Sequence, residues 1–306
     1  MSDDRPMTVP ALPLLIGGIP KPPTDANGAA TRIVLPFPQE SVGMIVLNRA
    51  GGEAPEYISA EGDVDVAGGW SVQLNLADSV TGVNVLAALP TNGVQVLGGN
   101  GITDEGLAEL SGYQALTYLR LGSVVTDAGI AHLASVSTLT MLSVSSDQIT
   151  DKAIIDLAKL PALQSLHLAP SNLTDAALAA LATLPALASL YVKSDSISDA
   201  GLAALASSST LQNLTIESTS LTNAAIAALS SSTSLTSLKL TGEFDDAGLA
   251  GLLTGYSSLQ DARIVGPGIT NDGILNTFAA GLGPQLNGQW FSPRAVERLR
   301  NRPSAG

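Results

Sequence analysis

The chain has 306 residues and a formal net charge of −13, with 45% hydrophobic but only 4% aromatic residues. Leu, Ala, Ile and Val must form the core, which suits many similar packing layers better than one core built on large rings. The acidic balance gives no general attraction for nucleic-acid phosphates or anionic lipid. The lack of cysteine excludes disulfides and thiolate chemistry and fits a reducing, cytoplasmic setting.

Residues 1–40 contain Pro6, Pro10, Pro13, Pro20, Pro22, Pro23, Pro36 and Pro38, and are predicted as an extended or disordered lead-in. The apolar stretch 9–19 is interrupted by Pro10 and Pro13 and preceded by Asp3 and Asp4, so no secretory signal is expected. Residues 41–82 read as a small β-rich N-terminal cap. Strand candidates at 42–47, 57–59, 64–66 and 71–76 are separated by Gly51-Gly52 and Gly68-Gly69, and Trp70 is expected to pack against the segment beyond residue 82.

From residue 83 to 283 the sequence repeats. An apolar residue, Thr or Ser, then Asp or Asn opens each unit, from Ile102-Thr103-Asp104 to Ile269-Thr270-Asn271, with one variant at Phe244-Asp245-Asp246. Successive openings lie 23, 24, 24, 24, 24, 23 and 25 residues apart. A period this regular marks a solenoid. Within a unit, Thr or Ser is a helix N-cap and the next Asp sits where the helix dipole favours negative charge. A short helix, a break and an L-x-x-L-x-L strand come next, as in Leu163, Leu166 and Leu168. The apolar run 176–192 falls in this register and is predicted as one repeat rather than a membrane span. One unit cannot bury its own apolar face, whereas stacked units share a continuous core. In the last unit the strand slot at 283–290 contains Gly and Pro. Residues 284–306 are read as a C-terminal cap and basic tail, with Trp290 and Phe291 closing the core and Ser292-Pro293 opening a short helix. The tail carries Arg294, Arg298, Arg300 and Arg302.

Residues 173–192, reading LTDAALAALATLPALASLYV, resemble the leucine-rich-repeat family, specifically its bacterial type with L-T-D-A-G-L-A-x-L units. The resemblance covers 102–283, extends back to Val83, and includes the β-like lead-in 41–45. It implies an α/β horseshoe with parallel strands on the concave face, helices on the convex face, and service as a protein-interaction scaffold. One column departs from the family. Many such repeats carry Asn three residues after the last strand Leu, where it bonds neighbouring loops. Here that column reads Val124, Asp147, Ser171, Asp195, Thr219, Glu243 and Pro267. The ladder must be built from other residues. Asp147, Asp195 and Glu243 recur in alternate units, about 10 Å apart at two strand widths, too far to share one cation.

No catalytic constellation is present. The only histidines, His132 and His167, form no zinc motif, and no phosphate-binding loop or nucleophile elbow occurs. The Gly98-Gly99-Asn100-Gly101 run reads as a turn. No enzyme activity, metal or cofactor is expected, and the repeated Asp residues are assigned to helix starts. The informative feature is the outward column between the last two inward strand positions: Arg120, Ser143, His167, Tyr191, Thr215, Lys239 and Arg263. A neighbouring column reads Tyr118, Met141, Ser165, Ser189, Asn213, Ser237 and Asp261. Residues 102–268 hold six bases against 15 acids, and three of the six lie in the first column. Tyr and Arg are common interface anchors. The expected function is non-catalytic protein binding on a concave strip of Tyr118, Arg120, Met141, His167, Tyr191, Lys239 and Arg263, with an acidic or extended protein as partner and no nucleic acid or membrane. A structural or self-associating scaffold, and a recognition subunit for a separate catalytic partner, are the alternatives.

Overall fold

The computed structural model describes residues 32–49, 54–169, 171–255, 258–270, 272, 285–286 and 289–290. The expected helix at 292–299, Phe291 and the arginine tail lie outside them. After the N-terminal strands β1 (Ile33–Pro36), β2 (Gly43–Arg49), β3 (Glu56–Ser59), β4 (Asp63–Val66) and β5 (Trp70–Leu76), helix and strand alternate. The helices are α1 (Val85–Ala88), α2 (Asp104–Ala108), α3 (Asp127–His132), α4 (Asp151–Leu157), α5 (Asp175–Leu181), α6 (Asp199–Leu205), α7 (Asn223–Leu229) and α8 (Asp246–Gly255). The strands between and after them are β6 (Val96–Gly99), β7 (Tyr118–Leu121), β8 (Met141–Val144), β9 (Ser165–Leu168), β10 (Ser189–Lys193), β11 (Asn213–Thr222), β12 (Ser237–Glu243) and β13 (Asp261–Val265). The slot at 283–290 holds two-residue strands at Gln285–Leu286 and Gln289–Trp290, paired antiparallel rather than continuing the stack.

One sheet of 11 strands runs in the order β13 to β5 and then β2 and β3, with β5 to β13 parallel. This is a leucine-rich-repeat solenoid. Each strand's inward residues and each helix's apolar residues join a single core, as Leu190 and Val192 do with Leu178 and Leu181. The sheet therefore turns one side to the helices and leaves the other open. At its start, β2 and β3 extend the sheet antiparallel, and the β1–β4 pair puts Ile33, Leu35, Val64 and Val66 into the same core. Leu35, inside the stretch predicted as extended lead-in, is fully buried, and Trp70 packs half-buried against the core. The apolar run 176–192 is α5, a turn and most of β10, and among the described residues no helix is long and apolar enough to cross a membrane.

The repeated acids do more than sit at helix starts. Thr103 caps its helix by accepting from the Gly106 amide, and the caps from Thr126 to Thr222 accept from the amide two residues on, as Thr174 Oγ1 does from Ala176. The Asp beside it points sideways, to the next unit. Asp175 takes both the Ser198 amide (2.8 Å) and the Ser198 hydroxyl (2.6 Å). The same two-point clamp joins Asp104 to Thr126, Asp127 to Thr150, Asp151 to Thr174, Asp199 to Thr222 and Asp246 to Thr270. Where Asn223 replaces the acid, the next cap is Asp245. Asn223 Nδ2 then donates to the Asp245 carboxylate (2.5 Å) while its Oδ1 accepts from the Asp245 amide. The missing Asn ladder is replaced by serines one position earlier in the loop. Buried Ser146, Ser194 and Ser218 donate to the carbonyls of Val125, Leu173 and Ile197, all at 2.7 Å.

Candidate binding surface on the open face of the sheet

Side chains alternate along a strand, so parallel pairing without slips stacks the outward residues of successive units into columns. Strand register aligns Arg120, Ser143, His167, Tyr191, Thr215, Lys239 and Arg263, and beside them Tyr118, Met141, Ser165, Ser189, Asn213, Ser237 and Asp261. Towards the cap the columns continue through Gly98 and Asn75, and through Val96 and Gln73.

The two ends of this face differ. Near the cap it is closed: Val46, Val96 and Tyr118 are buried yet stand apart from the helix-side core, and Met141 is half-buried. Burial pushes the Tyr118 hydroxyl above its ordinary pKa, and the Arg120 charge offsets part of that. Tyr118 thus offers little surface to a partner. The Arg120 guanidinium lies close over the backbone of Gly98. It donates to the Asn100 carbonyl oxygen (3.2 Å), and Asn100 in turn donates to Asp78. Its buried Nε and the nearby Asn75 Nδ2 have no hydrogen-bond partner.

In the middle of the face His167 and Tyr191 stack with ring centroids 4.2 Å apart. Burial holds the His167 imidazole below its ordinary pKa, opposed by the charge of Glu217. Tyr191 donates to Glu217 Oε1 (2.9 Å), and its hydroxyl is pushed up to about 12 by burial, then by that bond and the neighbouring charge. Glu217 also pairs with Lys193 (3.5 Å). Sequence reasoning missed this linkage because Lys193 and Glu217 lie in a third column, one residue beyond the motif. Continued in-out alternation past the last motif Leu was the available signal.

Towards β13 the face is open. Lys239 and Arg263 stand opposite one another in register, and a shallow hollow of ≈ 100 Å³ lies among them, Thr215, Glu217, Thr241 and the floor residue Leu240. Among the described residues Arg32 pairs with Asp65, Lys159 with Asp156 and Lys193 with Glu217, whereas Arg120, Lys239 and Arg263 have no carboxylate partner. All seven sequence-predicted residues therefore lie on one face, where register sets Tyr118 beside Met141, His167 beside Tyr191, and Lys239 beside Arg263.

No protein-family model matches the sequence, and no curated protein does. Among solved structures, the chain is similar to internalin C2 from Listeria monocytogenes, with 27% identity over 63% of this chain and 80% of that one and a TM-score of 0.49. Internalin F from the same organism is 23% identical over 64% of this chain, with a TM-score of 0.46, and only 53% of its own length is covered. A leucine-rich-repeat protein of Leptospira interrogans is 19% identical over 71% of this chain and 60% of that one, with a TM-score of 0.41.

Proposed function

We propose that this leucine-rich-repeat solenoid is a non-catalytic module that binds a protein partner on the open face of its sheet. The observation that carries the reading is charge placement. Residues 102–268 hold 15 acids and six bases, yet the open face receives Arg120, Lys239 and Arg263 and gives none of them a carboxylate. Without a carboxylate beside them, their effect on folding is limited to offsetting some of the chain's negative charge. Opposite charge on a partner would complete them and steer its approach. The stacked His167 and Tyr191 add a flat amphipathic surface midway along the strip.

Photocross-linking tests this. Benzoylphenylalanine in place of Ser143, between Arg120 and His167 in register, should capture a protein from an extract of the source organism, and the triple change R120E/K239E/R263E should abolish the adduct. The same probe at Ile155, 63% exposed on α4, should capture none. Adducts from Ile155 alone, or adducts from Ser143 that survive the triple change, would overturn the reading.

A further inference from the structure

We infer that the hollow between Lys239 and Arg263 is a carboxylate site that takes the Asp or Glu side chain of an acidic segment in the partner; this rests on the open face being the binding face. Lys239 and Arg263 are direct cross-strand neighbours, about 4.8 Å apart at the backbone. Like charges placed opposite one another destabilise a sheet. Neither cation has an acid to relieve it among the described residues. The nearest acid, Glu217, is already engaged by the Tyr191 hydroxyl at 2.9 Å and Lys193 at 3.5 Å, which draws its charge towards β10. An anion seated between the two cations removes the repulsion and gains charge-assisted hydrogen bonds from both.

The rest of the lining is mixed, with the apolar Leu240 and Val265 beside Glu217 and two threonines. Thr215 and Thr241 border the hollow and supply neutral hydroxyl donors at its sides. The volume of ≈ 100 Å³ is room for about three waters. It falls short of the roughly 300 Å³ at which small-molecule pockets begin. The end of one acidic side chain fits, and a nucleotide or cofactor does not. Glu217 on the rim opposes a dianion more than a monoanion. Apart from this pair the column carries only Arg120, far along the sheet on β7, so there is no continuous basic track, which disfavours a phosphate chain.

The probe is a fluorescein-labelled Gly-Ser peptide with one Glu-Glu pair, followed by anisotropy at low salt. Matched peptides carry Gln-Gln or phosphoserine, and labelled oligothymidylate is the nucleic-acid arm. The Glu-Glu peptide should bind roughly tenfold tighter than Gln-Gln, and K239Q or R263Q should each weaken it about fivefold. Glu217→Gln should tighten it about threefold by removing the rim charge. Arg263 Nε–H should shift on titration in each protein that binds. Equal binding of Glu-Glu and Gln-Gln, indifference to K239Q and R263Q, or tighter binding of phosphoserine or oligothymidylate would each overturn the carboxylate site. If the Ser143 probe captures a partner while the Glu-Glu peptide is not held, the hollow is wrong and the open-face reading stands. Failure of Ser143 to capture any protein defeats both.

Discussion

Along the edge where the helices begin, seven successive residues from Asp104 to Asp246 each reach across to the next unit and are fully used there. On the open face, Arg120, Lys239 and Arg263 recur in no fixed period and, among the described residues, have no carboxylate partner. The first pattern is what a solenoid needs, because a repeat that cannot stand alone must bond its neighbours. The second makes no such ladder: Arg120 donates to the Asn100 side chain, and the clustered pair Lys239–Arg263 works against the sheet. Periodic polar groups are structural here. Aperiodic, unpaired ones mark the surface free to be shaped by a partner.

The comparison can be broken at its structural end. Asp175→Ala removes two hydrogen bonds to Ser198 and leaves a half-buried amide without an acceptor, which should cost about 2 kcal/mol. Denaturant titration checks it, and the Ser198 amide should lose hydrogen-exchange protection. Next in size, Asn223→Asp sets a second carboxylate against Asp245, whose own carboxyl is held below its usual range by the Asn223 side chain and the Gly248 amide. One of the paired acids must then have a raised folded pKa. A folded state that binds the extra proton gains stability as pH falls. The variant should therefore melt below wild type at pH 7 and approach it near about pH 4. Adding Asp245→Thr should restore the ordinary clamp and remove the pH dependence.

The smallest effect is at the stack. With His167 held below its ordinary value of 6.5, the neutral ring's contribution is fully present above that pH and is lost as pH falls through the folded value. An NMR titration should place the His167 midpoint below 6.5, and Glu217→Gln should lower it further, since that charge raises it. A midpoint above 6.5 would contradict the desolvation of the stacked imidazole.

Much of this was legible before any coordinates. A 24-residue spacing held over eight openings leaves few alternatives to stacked repeats, and in-out alternation placed both outward columns in the register observed. The role of the acids was harder to read. A chain read along its length shows the helix beside Asp175, so the dipole explains the acid. The neighbour that matters, Ser198, is 23 residues away. Periodicity itself held the clue, since residues identical at the repeat spacing stack and can touch. The paired change at Asn223 and Asp245 held it too. Burial of Tyr118 was hidden for a different reason: alternation tells which side a residue faces, and not how crowded that side is.

The helix-start edge is expected to hold the fold, and the Lys239–Arg263 pair of the open face is not. Denaturation midpoints of Asp175→Ala and of the double variant K239Q/R263Q, measured side by side, test it most directly. Asp175→Ala should fall clearly below wild type, and K239Q/R263Q should stay within about 0.5 kcal/mol of it or rise. A double variant that loses as much stability as Asp175→Ala would show that the two cations are structural, and would contradict the account.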